Sequence, residues 1–119
     1  MVITGKKGWY YESLFKLIKE LEMNEDVVFT DYVEDEDIPA LYNAARLFAF
    51  PSLYEGFGLP PLEAMASGTP VISSNTSSMP EVVGEAGILL PPKDENDWAK
   101  AMVKLVADDK LWLSLREKG

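Results

Sequence analysis

Five short apolar runs alternate with amphipathic helical patterns along this chain, and that alternation limits the folds open to it. The runs are MVIT (1–4), VVFT (27–30), RLFAF (46–50), PVIS (70–73) and GILL (87–90). Each is nearly continuous in apolar character, which is typical of parallel strands that are covered on both faces. Strands that alternate with helices predict an α/β fold, with about five strands in a parallel sheet and helices flanking it.

The helical patterns carry start and stop signals of their own. Asp94 predicts an N-cap for the clearest apolar stripe, and Gly68 is expected to end a helix that begins near Pro61. A short helix is expected after Asp108. The stripes comprise Leu14, Phe15, Ile18 and Leu21; Ile38, Leu41, Tyr42 and Ala45; Trp98, Ala101, Met102, Leu105 and Val106; and Leu111, Trp112 and Leu115.

The composition excludes several kinds of site. The 119 residues suit one domain, residues 1–119, and they include no cysteine and no histidine. Disulfides, thiolate metal sites and histidine acid–base chemistry are therefore excluded, and no metal is expected. No apolar run reaches the roughly 18 residues of a membrane span, and no signal peptide is visible, so a cytoplasmic setting is expected.

The net charge of −9 comes from one acidic segment. Nine acidic residues and no Lys or Arg lie between Glu20 and Asp37, whereas the rest of the chain has 11 acids and 11 bases. An acidic domain binds nucleic-acid backbones poorly, so no nucleic-acid partner is expected. We interpret the segment as a solvated face with helix caps.

The stretch YEGFGLPPLEAMASG, residues 54–68, follows the predicted strand 46–50. It therefore lies at the carboxyl end of a parallel strand, where ligands bind in open α/β sheets. Gly56 and Gly58 allow a tight turn and a close backbone approach. The amides of Phe57, Gly58, Leu59 and Leu62 are expected to converge on one spot, and such a cluster attracts a phosphate.

Two carboxylates flank this predicted phosphate cradle. Glu63 is expected in the first helical turn, where its two oxygens suit a sugar diol such as that of ribose. Glu55 precedes the turn and is expected to reach the other side of the ligand. Together they fit a nucleotide sugar, but the spacing alone leaves open a helix-capping Glu63 and a solvent-facing Glu55.

A longer stretch resembles a known family. Residues 51–92, PSLYEGFGLPPLEAMASGTPVISSNTSSMPEVVGEAGILLPP, resemble the donor-binding domain of family 4 glycosyltransferases, and so do VITGKK, VVFTDYV and ALYNAARLFAFPS upstream. These are retaining enzymes with two facing Rossmann-like domains, the arrangement called GT-B. The resemblance implies that the chain is a partial, C-terminal GT-B domain with a Rossmann-like parallel sheet.

The resemblance also implies roles for individual residues. Glu63 matches the ribose-binding glutamate, and Glu55 matches the catalytic-site glutamate that contacts the transferred sugar. At the diphosphate, the resemblance implies contacts from Phe57, Gly58 and Leu59, together with Gly56. It implies that Tyr32 and Val33 receive the nucleobase and that Gly5 lies near the ligand crevice. For Tyr32 and Val33 a plain strand end is the equal alternative.

Several other polar and aromatic residues have structural interpretations that compete with ligand contact. Thr76, Ser77 and Ser78 are interpreted as a polar turn before a helix at Pro80–Glu81 rather than as substrate contacts. Core packing at a helix start is the interpretation for Trp9, Tyr10 and Tyr11, and core packing is also the interpretation for Trp98 and Trp112. Lys6 and Lys7 are interpreted as solvated side chains.

The sequence departs from the family pattern in two ways. It contains no second Rossmann-like domain, and no strand–loop–helix with an Arg and a Lys for the diphosphate precedes VIT. The domain is therefore expected to be incomplete, with millimolar or undetectable donor binding and no transfer by this chain alone. Its strands are expected to fall into two groups, and an exposed strand edge favours self-association.

The function that follows is the nucleotide-sugar-binding part of a retaining hexosyltransferase in carbohydrate or polysaccharide biosynthesis. The expected partners are an NDP-sugar donor, an acceptor and an N-terminal GT-B domain. No cofactor is expected. The expected location is the cytoplasm, or the membrane periphery through a longer protein. The alternative is a non-catalytic nucleotide or sugar-phosphate binding module, or an isolated folding fragment. A flavodoxin-like signalling domain lacks support, because no acidic cluster follows the first strand.

Overall fold

A computed structural model describes residues 1–5 and 11–119, and within them strands and helices alternate. In chain order they are β1 (Val2–Ile3), α1 (Tyr11–Glu20), β2 (Val28–Phe29), α2 (Ile38–Ala44), β3 (Phe48–Phe50), α3 (Leu59–Ala66), β4 (Val71–Ser74), α4 (Met79–Val83), β5 (Gly87–Leu90), α5 (Glu95–Ala107) and α6 (Asp109–Lys118). The predicted α/β fold is confirmed, and each predicted strand is present, mostly over fewer residues.

The strands form two parallel sheets rather than one. β1 pairs with β2, and β4 lies between β3 and β5. The chain divides accordingly into two compact units, Met1–Ile38 and Pro39–Gly119. The expectation that the strands fall into two groups agrees with this pairing.

The first unit is held by an aromatic cluster. The Tyr11 ring lies 4.2 Å from the Phe15 ring and 5.3 Å from the Phe29 ring, between centroids. Tyr11 therefore packs against aromatic rings but is only partly buried, whereas Trp9, Tyr10, Lys6 and Lys7 lie outside the described residues. Leu21 was expected on the apolar face of α1, but it follows the helix and is 58% exposed, because the chain turns at Glu22 with φ of 56°.

The second unit is built around β4, whose four residues are all buried. Two apolar clusters cover this sheet, one around Val71 and the other around Ile72. Because neighbouring residues of a strand point to opposite faces, these clusters lie on the two sides of β4. The prediction of strands covered on both faces holds there but fails in the first unit, where Val2 and Val28 are about half exposed, at 51% and 54%.

The two predicted core tryptophans differ. Trp98 is buried and its indole Nε1 donates to the Pro91 carbonyl at 2.9 Å. Trp112 is only partly buried: its ring lies 4.7 Å from the Arg46 guanidinium carbon and 5.2 Å from that of Arg116. Trp112 therefore packs between the core and two surface cations rather than inside the core.

The predicted N-cap of α5 gives a first testable consequence. The Asp94 carboxylate accepts a hydrogen bond from the Asp97 amide at 3.1 Å. Asp94→Ala is expected to lower the free energy of unfolding by about 1 kcal/mol, because it leaves a helix-start amide without an acceptor. Urea denaturation measures this, with Asn96→Ala as the control: Asn96 is exposed in the same helix. Equal midpoints for the two variants would show that the cap contributes nothing.

Candidate functional site

Two loops of the second unit meet at one edge of its sheet. Residues 51–58 follow the carboxyl end of β3, and residues 75–78 follow the carboxyl end of the neighbouring strand β4. Parallel strands place both loops on the same side of the sheet, the side where ligands bind in α/β folds. The candidate site is built from these two loops and the start of α3.

Gly58 sets the conformation of the first loop. It is buried, it has a φ of 87°, and it forms the N-cap of α3 with no side-chain hydrogen bond. A β-carbon placed on it would lie 2.2 Å from Cε of the fully buried Met79. Gly58 is therefore required both by its left-handed backbone and by close packing against α4, whereas Gly56 has open space around it.

The loop presents backbone amides that have no acceptor within the described part of the chain. Phe57, Gly58 and Leu59 donate no hydrogen bond there. The next two residues, Pro60 and Pro61, have no N–H, so the free donors at the helix start are concentrated on the residues just before them. Unpaired amides at the positive end of a helix are suited to bind an anion.

α3 starts earlier than expected, at Leu59 rather than near Pro61. In a helix that begins there, the Leu62 amide faces the Gly58 carbonyl, so it does not join the free donors. Glu63 is the fifth helical residue, and no acidic residue occupies the first turn. The prediction of Glu63 in the first turn is therefore wrong, and so is the alternative that it caps the helix.

Glu63 is exposed and its carboxylate is paired with Tyr42 of α2. Burial, the nearby charge of Glu63 and a hydrogen bond to its carboxylate together raise the pKa of the Tyr42 phenol. Tyr42 is held in place by its own packing: its ring lies 5.1 Å from that of Phe48, and its carbonyl accepts from Thr69 Oγ1 at 2.6 Å. The sequence pattern places Tyr42 only on the apolar face of a helix, because a contact between residues 21 positions apart leaves no local signal.

The raised pKa of Tyr42 predicts a pH dependence. The fold favours the neutral phenol, so its contribution to stability is complete below the ordinary tyrosine pKa of 10.0 and is lost as pH rises through the folded value. Wild type should therefore lose more stability above pH 10.0 than Tyr42→Phe, measured by urea denaturation across that range. Glu63→Gln should lower the pKa of Tyr42 in an ultraviolet titration of tyrosinate; an unchanged titration would contradict the pairing.

Glu55 is half-buried and is held from two sides. Ser52 Oγ donates to its Oε1 at 3.0 Å. Ser77 Oγ donates to its carbonyl at 2.8 Å and accepts from its amide at 3.4 Å. Glu55 is therefore not a loose solvent-facing side chain; one carboxylate oxygen is fixed by Ser52, and no described donor occupies the other.

The second loop is a polar turn before a helix, as the sequence predicts, and the helix starts one residue before Pro80. α4 begins at Met79, and its N-cap is Ser78, which makes no side-chain capping bond. The hydroxyls of Ser77 and Ser78 are instead directed to the Glu55 carbonyl, and that of Thr76 to the carbonyls of Ser52 and Leu53. These backbone partners lie more than 20 residues away along the chain, so no local pattern predicts them.

The remaining predicted residues lie in the first unit. Gly5 follows β1 with φ of 117°, and its amide donates to the Asp31 carbonyl at 2.9 Å. Tyr32 and Val33 follow β2, and Tyr32 is 55% exposed. Both segments lie at the carboxyl ends of their parallel strands, the position at which ligands are expected.

Among residues 1–5 and 11–119, no helix is long and apolar enough to cross a membrane. An open groove of the second unit is lined by Leu62, Met65, Val82 and Lys118 among others. It includes none of the predicted donor-binding residues.

Comparisons with known proteins identify the family. The model of the family described as "Glycosyl transferases group 1" matches residues 1–119. The chain belongs to this family. O-antigen chain mannosyltransferase B of Escherichia coli is 43% identical over 109 residues, which are 92% of this chain and 29% of that protein.

Solved structures of similar proteins agree. Sucrose-phosphate synthase of Thermosynechococcus elongatus is 32% identical with a TM-score of 0.87, over 97% of this chain and 31% of that one. HepE of Anabaena, solved in complex with UDP-glucose, is 25% identical with a TM-score of 0.89, over 97% of this chain and 33% of that one. The fold of this group 1 glycosyltransferase chain is thus the Rossmann-like fold of GT-B enzymes, and the chain spans about a third of each of these three proteins.

Proposed function

We propose that this chain is the donor-binding part of a retaining, family 4 hexosyltransferase, which moves a hexose from a nucleotide sugar to an acceptor in the cytoplasm or at the membrane periphery. The observation that carries the proposal is the row of amides at Phe57, Gly58 and Leu59 that have no acceptor among residues 1–5 and 11–119, with Glu55 before the row and Glu63 after it. Membership of the glycosyltransferase family and the UDP-glucose complex of the similar HepE support it.

Each part of the loop has a role in this proposal. The unpaired amides and the positive end of α3 stabilise the diphosphate, whose negative charge grows as the bond to the sugar breaks. The carboxylate oxygen of Glu55 that Ser52 leaves available accepts hydrogen bonds from the sugar hydroxyls. Glu63 accepts from the ribose hydroxyls. No cofactor or metal is required beyond the donor itself.

Transfer needs more protein than these 119 residues in this proposal. The chain spans 29% of the mannosyltransferase that it matches, so a second domain with the acceptor site and part of the cleft belongs to the proposed enzyme. Such a donor site is open until the other domain covers it. Because the chain carries a net charge of −9 and a donor diphosphate adds about two more negative charges, we expect this chain alone to bind donors only in the millimolar range.

An NMR titration of the chain with UDP-, GDP- and ADP-glucose tests the proposal, since it measures weak binding and locates it. The expected result is saturable shifts of the amides from Glu55 to Leu59, with a millimolar dissociation constant for the preferred base. Absence of shifts at these amides, or shifts confined to the groove beside Leu62 and Lys118, would contradict the donor site. Micromolar affinity would contradict the proposal that further protein is needed.

A further inference from the structure

Three consecutive hydroxyls join the two loops of the candidate site. Thr76 Oγ1 lies 3.4 Å from the Ser52 carbonyl oxygen and 3.3 Å from that of Leu53. Ser77 Oγ and Ser78 Oγ lie 2.8 and 3.3 Å from the Glu55 carbonyl oxygen. We call Thr76, Ser77 and Ser78 the hydroxyl clasp; it holds the backbone of the loop that carries the proposed sugar-contacting glutamate.

Ser77 is the member of the clasp that contacts both main-chain polar groups of one residue. Its hydroxyl donates to the carbonyl of Glu55 and accepts from the amide of the same residue at 3.4 Å. Glu55 lies between β3 and α3, so neither a strand ladder nor a helix fixes its backbone. A single hydroxyl therefore pairs both main-chain polar groups of Glu55 and sets the direction in which its side chain leaves the backbone.

The backbone of Ser77 is in an unfavourable conformation for its residue type. Its φ is 58°, in the left-handed region that glycine adopts without strain and that serine rarely adopts. The hydroxyl is not retained for capping, since the N-cap of α4 is Ser78 and no side chain caps that helix. A strained residue with no local use for its side chain indicates that the side chain acts on a neighbouring loop.

We propose that Ser77 is a positioning residue of the donor site, which aims Glu55 at the transferred sugar. This inference rests on the proposed function, because it assigns Ser77 a role through Glu55. The inference predicts different effects on two ligands. Ser77 supports the contact of Glu55 with the sugar, whereas the amides of Gly58 and Leu59 bind the diphosphate without help from Ser77.

Two substitutions of Ser77 separate the effect of its hydroxyl from the effect of its strained backbone. Ser77→Ala removes the hydroxyl and keeps the strained backbone, whereas Ser77→Gly removes the hydroxyl and relieves the strain. The control is Ser114→Ala, which removes an exposed serine hydroxyl from α6. For each variant, NMR titration gives dissociation constants for the glucose nucleotide that wild type prefers and for the matching nucleoside diphosphate, and thermal denaturation gives the Tm.

Both Ser77 variants should bind the nucleotide sugar about 3- to 10-fold more weakly than wild type, which is the effect of losing one or two hydrogen bonds. Their dissociation constants for the nucleoside diphosphate should stay within about twofold of the wild-type value. Ser77→Gly should nevertheless melt a few degrees higher than Ser77→Ala, about 2–5 °C. A purely structural Ser77 would give a Gly variant that is both stable and fully competent in binding. Ser114→Ala should bind both ligands as wild type does.

The outcomes distinguish this inference from the proposed function. Wild type that binds neither ligand at the Glu55–Leu59 amides contradicts the proposed function. Wild type that binds, together with Ser77→Gly of unchanged sugar affinity, contradicts the role of Ser77 alone. Equal weakening for the sugar nucleotide and for the nucleoside diphosphate also contradicts it, because the effect would then lie on the diphosphate rather than on Glu55.

Discussion

Gly58→Ala is expected to lower the free energy of unfolding by about 2–5 kcal/mol and to abolish donor binding. Its φ of 87° disfavours any residue with a β-carbon, by about 1–2 kcal/mol. The new methyl would also lie 2.2 Å from Cε of Met79, which is fully buried, and such overpacking costs about 1–3 kcal/mol. The loss of stability is measured by urea denaturation, and binding by the NMR titration.

Gly56→Ala is the matched control for this change. Gly56 lies two residues away in the same loop, its φ is not positive, and a β-carbon there would meet nothing within 4 Å. It should therefore change stability by no more than about 0.5 kcal/mol, as surface substitutions usually do. If both alanine variants were equally stable, neither the positive φ of Gly58 nor its close packing against Met79 would fix the turn.

The parts of the fold that depend on local patterns were predictable from the sequence. The strand Gly87–Leu90 coincides with its apolar run, and Asp94 caps α5 as its position suggested. These features are read from side chains within a few residues of one another, where periodicity and capping chemistry act. The separation of the strands into two groups came instead from the family resemblance, since no local pattern encodes which strands pair.

The details of the candidate site were less predictable, for physical reasons. Two prolines at positions 60 and 61 suggested a helix that starts at the second, but the first turn needs no amide donors, so α3 accommodates both and starts at Leu59. That shift moved Glu63 out of the first turn. The partners of Glu63 and Glu55, Tyr42 and Ser77, lie 21 and 22 residues away, and only the packing of separate elements brings them together.

Glu63→Gln is expected to weaken the binding of a ribonucleotide donor by roughly 10- to 100-fold, since a hydrogen bond to a charged group contributes about 1.5–3 kcal/mol. The substitution keeps the size of the side chain but removes the charge, and its amide accepts fewer hydrogen bonds than the carboxylate. Glu63 is exposed on α3, so the variant should fold as wild type does. The measurement is the dissociation constant for UDP, or for the nucleoside diphosphate that wild type prefers.

The 2′-deoxy form of the same nucleotide shows whether Glu63 acts on the ribose. If its carboxylate accepts from the ribose hydroxyls, wild type should prefer the ribonucleotide, and Glu63→Gln should lose most of that preference. Tyr42→Phe is the matched control, because it removes the neighbouring phenol that pairs with Glu63 and keeps the carboxylate that would bind the ribose. A preference for the ribonucleotide that survives in Glu63→Gln would place the ribose elsewhere and leave Glu63 as a partner of Tyr42 alone.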